Sequence, residues 1–288
     1  MDNIIHPNIQ GGSFRQLTVP GESAALTVRV TAVLHHEKSR YHDLLVFAAP
    51  KFGVVIAIDG VIRNAERRGY FHEIFTHTAM NSHLNPKSVL VLGGVDSDIV
   101  QEVILHRTVE EVTVFEIDVA IVRLCRDYFP PRTHAYPRLR SRANVHLHHD
   151  PKYLEDKRGC YDVIITCNDA SLGSNHSRGV RHAFFRQLDW RLRGNGILAV
   201  QVRGSLMCLR EALGVCRGVF PVVEYAHTPD SNYRFEPLGF ILCSKTPGHD
   251  VKKPLRSLTH RGERSNAPHV HYNSKEHSAT FTFSPRSK

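Results

Sequence analysis

Between residues 26 and 63, apolar and polar positions change places at close to every second residue: LTVRVTAVLHH, then DLLVFAAP, then GVVIAIDGVI. A period of two lines one face of a strand, so these runs predict short strands. Ala49-Pro50, Phe52-Gly53 and Asp59-Gly60 punctuate them as turns. The pattern predicts an antiparallel β unit over residues 1–69. From Tyr70 the period lengthens. YFHEIFTHTAMNSHL (70–84) carries apolar residues at helical spacing and stops at Asn85-Pro86.

From Ser88 strands and helices alternate. SVLVLGG, EVTVFEID, NVHLHHD, YDVIITCNDA, GILAVQV, VVEYAH and LGFILCS read as strands. DIVQEVILHR, VAIVRLCRDYF, RHAFFRQLDWRLR and SLMCLREALGVCRGVF read as the helices between them. That alternation predicts an α/β fold with a doubly wound, largely parallel sheet over residues 70–245. Residues 246–288, rich in Lys, Arg, His, Ser and Pro, predict a basic C-terminal extension, partly extended or disordered.

In a doubly wound sheet, ligands sit beyond the carboxyl ends of the strands. The first strand runs into Gly93-Gly94 and then meets Asp96 and Asp98. A dinucleotide turn would present free N–H groups to a pyrophosphate, and Asp96 would repel it. The turn therefore suits a ligand without phosphate, and a cationic one. The next strand closes in Glu116-Ile117-Asp118, about 20 residues past the glycines, where an acid can accept from both ribose hydroxyls. Asp150 closes the third strand, where an adenine amine could donate. Acids after three successive strands, with no phosphate cradle, point to an adenosyl sulfonium compound. The competing reading of each alone is a solvated turn or helix-cap aspartate.

Composition narrows this little. The formal charge is +9, but Lys252–Lys288 holds eight Lys and Arg against two Glu, leaving about +3 on residues 1–251. Basic character concentrated in a tail without interleaved aromatics argues against a nucleic-acid partner. No apolar run approaches the roughly 20 residues of a membrane span, and the start MDNIIHPNIQGG has no signal-peptide core. Six scattered cysteines suggest reduced thiols in a cytoplasmic protein. The alternate histidines of HLHHD, with no second cluster, give no metal site, and Trp190 reads as helix packing.

YHDLLVFAAPKFGVVIAIDGVIRNAER, HLNPKSVLVLGGVDSD, FEID, YDVIITCNDASLG, FPVVEYAHTPDSNYRFEPLGFILCSK and HYNSKEHSATFTF together resemble the spermidine synthases and the wider polyamine aminopropyltransferase family, from about residue 10 to residue 283. The resemblance implies a Rossmann-like, class I methyltransferase-like sheet with an N-terminal β unit, usually as a homodimer. It implies aminopropyl transfer from decarboxylated S-adenosylmethionine, a co-substrate rather than a tightly bound cofactor, to putrescine, releasing methylthioadenosine. The adenosyl set it implies is His42, Gly93, Gly94, Asp96, Glu116, Ile117 and Asp150. Tyr233 and Phe71 stand at its amine-contacting tyrosines.

The amine half departs from the family pattern. The first catalytic aspartate falls on Cys167 and the second on Ala170, and Asp169 replaces one of them only through a one-residue shift. A glutamate becomes Arg203 and a glutamine Arg63. Val95, Ser97 and Asp98 replace glycines, and the GDG turn ends in Asp150-Pro151. Only a neutral amine can attack the carbon beside the sulfonium, and a positioned base contributes about 10²–10⁴ in rate. A thiol, of reference pKa about 8.5, is mostly neutral at pH 7. The sequence thus predicts impaired catalysis. Its alternative is a non-catalytic regulatory paralogue that dimerises with an active homologue, and a nucleic-acid-associated methyltransferase relative ranks behind both.

Overall fold

The structure, a computed structural model, describes residues 6–17, 25–66, 70–93, 97–129, 143–167, 178–202, 206–228, 239–256 and 271–282. In chain order these form β1 (Ile9–Gln10), β2 (Ser13–Leu17), β3 (Ala25–Arg29), β4 (Ala32–Lys38), β5 (Asp43–Ala49), β6 (Gly53–Ile58), β7 (Val61–Ala65) and α1 (Phe71–Asn81). There follow β8 (Ser88–Leu92), α2 (Ser97–Ile104), β9 (Glu111–Phe115), α3 (Val119–Tyr128), β10 (Asn144–His148), a 3-10 turn (Pro151–Leu154) and β11 (Tyr161–Thr166). The chain closes with α4 (Arg178–Arg191), β12 (Leu192–Val202), α5 (Leu206–Arg217), β13 (Val222–His227), β14 (Gly239–Ser244) and α6 (Ser274–Ala279). The described residues fall into two compact units, one drawn from 6–66 and 118–129, the other from 70–117 and from 143 onward.

The first unit is antiparallel, as alternation predicts. β1-β2-β3 make one sheet and β4-β5-β6-β7 a four-stranded meander. Asp59 and Gly60 turn the β6–β7 hairpin with φ of 51° and 75°, the paired positive values of a turn that matches strand twist. The run GVVIAIDGVI is two strands, β6 and β7, divided at the expected Asp59-Gly60 turn. Phe14 stacks on Phe47 at 5.0 Å between ring centroids, over a core completed by Val28, Leu45, Val55, Ala57 and Ile62. α3 belongs to this unit: Asp118 caps it by accepting from the Ala120 N–H (3.0 Å), and Ser39 Oγ donates to the same carboxylate at 2.6 Å.

In the second unit seven strands line up as β10-β9-β8-β11-β12-β14-β13. β10 through β12 are parallel. β14 enters antiparallel between β12 and β13, which alternation along the chain does not reveal. β11 is buried throughout, while β10, at the sheet edge, exposes four of its five residues. Leu90, Ile164, Phe185, Leu198, Leu213 and Ile241 are among the residues that fill one face. The helix expected over 181–193 ends at Arg191, because Leu192 already pairs with Tyr161 in the sheet.

One expectation changes. α1 buries every residue except Glu73, packed against α2, β11, β12 and α6. The tail, read as an extension, is in part folded: Val251, Tyr272 and His277 are buried, and α6 forms within it. Asn273 caps α6 by accepting from the N–H groups of Lys275 and Glu276.

Burial lowers the pKa of His277, as it does for His83, His227 and His249 in the same unit. His277 Nε2 donates to the Val251 carbonyl (2.9 Å), so Nδ1 accepts from the Tyr272 hydroxyl (2.7 Å). A folded pKa below the unfolded one means that the unfolded state binds more protons once pH falls below about 6.5. The stabilisation is complete above that pH and is lost as pH falls toward the folded values. The melting temperature should therefore drop between pH 7.5 and 5.5, and the drop should be smaller in His277→Gln. An equal slope in that variant, by calorimetry, would remove His277 from this account.

Candidate active site

Thr166, Leu92, Phe115 and His148 pair across β11, β8, β9 and β10, forming one level of the sheet. The next residue on each strand is Cys167, Gly93, Glu116 and His149. At about 4.8 Å per strand the row covers roughly 14 Å of the carboxyl edge, where such folds bind ligands. Each step is stitched to the next. Cys167 N–H donates to the Leu92 carbonyl (3.0 Å), Gly93 N–H to Phe115 (2.9 Å) and Glu116 N–H to His148 (3.0 Å). These three amides are consumed by the sheet, so they offer nothing to a phosphate.

Gly93 leaves β8 at φ 66°, a conformation that a side chain would strain. Glu116 is 6% exposed, and its carbonyl accepts from His149 Nδ1 at 2.7 Å. Ile117 is half-buried and leads into the α3 cap. Asp150 is exposed; one carboxylate oxygen accepts from the Lys152 N–H (3.0 Å) to cap the 3-10 turn. Proline at residue 151 suits the first position of that turn, where no N–H is needed. Cys167 is half-buried. Phe71, the first residue of α1, has no exposed surface, its ring against Phe75 (5.3 Å) and Phe240 (6.3 Å). Gly94, Asp96, Asp169 and Tyr233 lie outside the described residues, as do Val95, Ala170 and Arg203.

In the first unit His42 Nδ1 donates to Asp59 Oδ2 at 2.7 Å, while Asp59 Oδ1 accepts from the Asp43 N–H at 2.9 Å. The pairing fixes the His42 tautomer and leaves Nε2 as the acceptor. Nearby, His6 and His36 converge on Asp43 Oδ1, at 3.4 and 2.9 Å, and the three offer donor atoms within 4.8 Å of one another. His6 Nδ1 accepts from the Asn8 N–H (3.1 Å), so its proton is on Nε2 and points at Asp43. A metal on Nε2 would drive that proton onto Nδ1, against the Asn8 amide, whereas metal-bound histidines donate from the second nitrogen. The cluster fits a hydrogen-bonded tie better than a ligand set. Burial would raise Asp43, but the bonds from His36 and His6 outweigh it and hold the carboxyl below its usual range.

Sequence reading missed three of these contacts. Asp59 registers only as a turn residue, and Ser39 gives no signal. His149 had one: it stands where the GDG pattern has its first glycine, and a side chain gained there calls for a partner.

Strand order, the row of strand-end residues and the preceding β unit define a Rossmann-like α/β protein with its ligand edge at β10-β9-β8-β11. The spermidine synthase tetramerisation domain matches residues 13–66, and the spermine/spermidine synthase domain matches residues 69–253. The chain belongs to the spermine/spermidine synthase family of aminopropyltransferases. A spermidine synthase of Schizosaccharomyces pombe is 34% identical over 286 residues, covering 98% of this chain and 94% of that protein. One of Dictyostelium discoideum is 34% identical over 279 residues, covering 95% of each. The crystal structure of spermidine synthase from Thermotoga maritima matches with a TM-score of 0.78 at 22% identity, covering 96% of this chain and 93% of that one, a likeness of fold. Among the described residues no helix is long and apolar enough to cross a membrane.

Proposed function

We propose that the protein binds decarboxylated S-adenosylmethionine along the β10-β9-β8-β11 edge and transfers its aminopropyl group to putrescine slowly. The observation that carries this reading is the single row Glu116–Gly93–Cys167 with Asp150 beside it. Acids stand at the strand ends suited to ribose and adenine, and a thiol stands where the amine needs a carboxylate. Glu116 would accept from the ribose hydroxyls, and Asp150 would accept from the adenine amine through its second oxygen. Asp96 matches in sequence the family acid that contacts the aminopropyl ammonium. A solved spermidine synthase carries the transition-state analogue AdoDATO, which supports an adenosyl ligand for this fold. The tetramerisation-domain match supports self-association.

The thiol at residue 167 favours a second reading, a paralogue that binds the adenosyl ligand and assembles with an active synthase without turning over. One experiment separates the two: methylthioadenosine release from decarboxylated S-adenosylmethionine and putrescine, with Glu116→Ala as control for contaminating host enzyme. Slow release lost in the control supports the first reading. No release, with adenosyl binding intact, supports the second. Release at the rate of an unimpaired synthase would overturn both.

A further inference from the structure

α1 is clamped at both ends by the C-terminal segment. Leu255 N–H donates to the Asn81 carbonyl (2.8 Å), and Arg256 Nη2 donates to the Met80 carbonyl (3.0 Å). A guanidinium thus sits at the last carbonyls of the helix, the negative end of its dipole. At the other end the Glu73 carboxylate accepts from the N–H groups of Tyr272 (2.8 Å) and His271.

Arg256 does more than cap. Nη2 also lies 3.0 Å from His106 Nδ1, and Nη1 lies 3.2 Å from Thr108 Oγ1. A guanidinium can only donate, so His106 Nδ1 accepts and its proton is on Nε2. That N–H meets His77 Nδ1 at 2.9 Å, which places the His77 proton on its own Nε2. From there it donates to Glu102 Oε2 at 3.0 Å. Both rings are buried, at 1% and 2% exposure. One direction of donation therefore runs from the tail, through His106 and α1, into α2. No link can be reversed while arginine stands at its head. α2 begins at Ser97, the first described residue after the glycine turn, and packs on α1.

We propose that Arg256 is a positioning residue for the adenosyl site. Through His106 and His77 it fixes α2, the helix that follows β8 in the chain. The inference rests on the adenosyl reading above. Lysine keeps the charge at the end of α1 but lacks the planar fork that serves Met80, His106 and Thr108 together.

The test compares wild type with Arg256→Lys and Arg256→Met, well below their melting temperatures. It reads the Kd for methylthioadenosine and amide hydrogen exchange in residues 97–104, with α5 as the internal control. Faster exchange in α2 but not α5, with a Kd raised several-fold to about thirty-fold, is the expected result in Arg256→Lys. If Arg256→Met does not fold, the lysine variant still decides. Unchanged exchange and unchanged Kd would overturn the positioning role and leave the adenosyl reading standing. Equal loosening of α2 and α5 would also overturn it, in favour of a merely structural tie. Absence of methylthioadenosine binding in wild type, with α2 loosened in the variant, would overturn the adenosyl reading and the role in binding with it.

Discussion

Cys167→Asp raises the rate of aminopropyl transfer by about 10²–10⁴, read as methylthioadenosine release at saturating substrates. Its Kd for methylthioadenosine stays within about threefold of wild type, because the acids proposed for ribose and adenine are on other strands. The geometry is ready for the exchange. Cys167 is tied through its N–H to Leu92 and is half-buried at the end of β11, beside the glycine turn. A carboxylate there would hold the attacking ammonium and accept its proton, whereas a neutral thiol offers neither charge nor a base matched to the amine. If the variant gains nothing, the base lies elsewhere, and Asp169→Asn then becomes the informative change. If wild type already turns over as fast as the variant, the thiol is no impairment and the reading of a weakened amine half fails.

The second large effect is on stability and comes from the opposite end of the same sheet. Asp162→Ala is expected to destabilise the protein by about 3–4 kcal/mol in urea. The Asp162 carboxylate is almost fully buried at the start of β11. It accepts from the N–H groups of Lys87 (2.8 Å) and Ser88 (2.9 Å) and from Arg193 Nη1 at 2.8 Å to each oxygen. Removing it leaves two amides of the β8 entry without their acceptor and strips Arg193 of its partner. Arg193 is 44% exposed and can turn to water, so most of the loss belongs to the amides. Burial would raise the carboxyl, but the Ser88 amide, Arg193 and the Lys87 amide outweigh it and hold Asp162 below its ordinary range. A depressed folded pKa adds stability that is complete above the unfolded value near 4 and is lost as pH falls through the folded one. The variant should therefore differ most from wild type at neutral pH and least in strong acid. A loss below about 1 kcal/mol at pH 7 would show that the β8–β11 entry holds without this carboxylate.

Much of the site was legible because strand ends can be counted. The switch of period at residue 88 sets which runs are strands, and the architecture then picks out the residues that close them. Gly93, Glu116 and Asp150 were picked out that way and Cys167 through the family resemblance, and the sheet sets Gly93, Glu116 and Cys167 in one row with Asp150 one residue past its end. Asp118 shows the limit of the method. It sits two residues past Glu116 in the same closing motif, yet it caps α3 and holds Ser39. Spacing alone cannot separate a ligand-facing acid from a capping one, since both occupy the step from strand to helix.

Periodicity and turn chemistry by themselves determined the antiparallel unit, the alternating α/β region and the acids at its strand ends, because these depend on residues a few positions apart. The tertiary structure alone decided what depends on distant partners. It inserted β14 between β12 and β13 and packed α1 against α2, the sheet and α6. It aimed His149 at the Glu116 carbonyl. It joined Arg256, His106, His77 and Glu102 into one directed chain. A hydrogen bond between residues 150 positions apart leaves no period in the sequence. It exists only when the fold removes water from both partners and leaves each with the other.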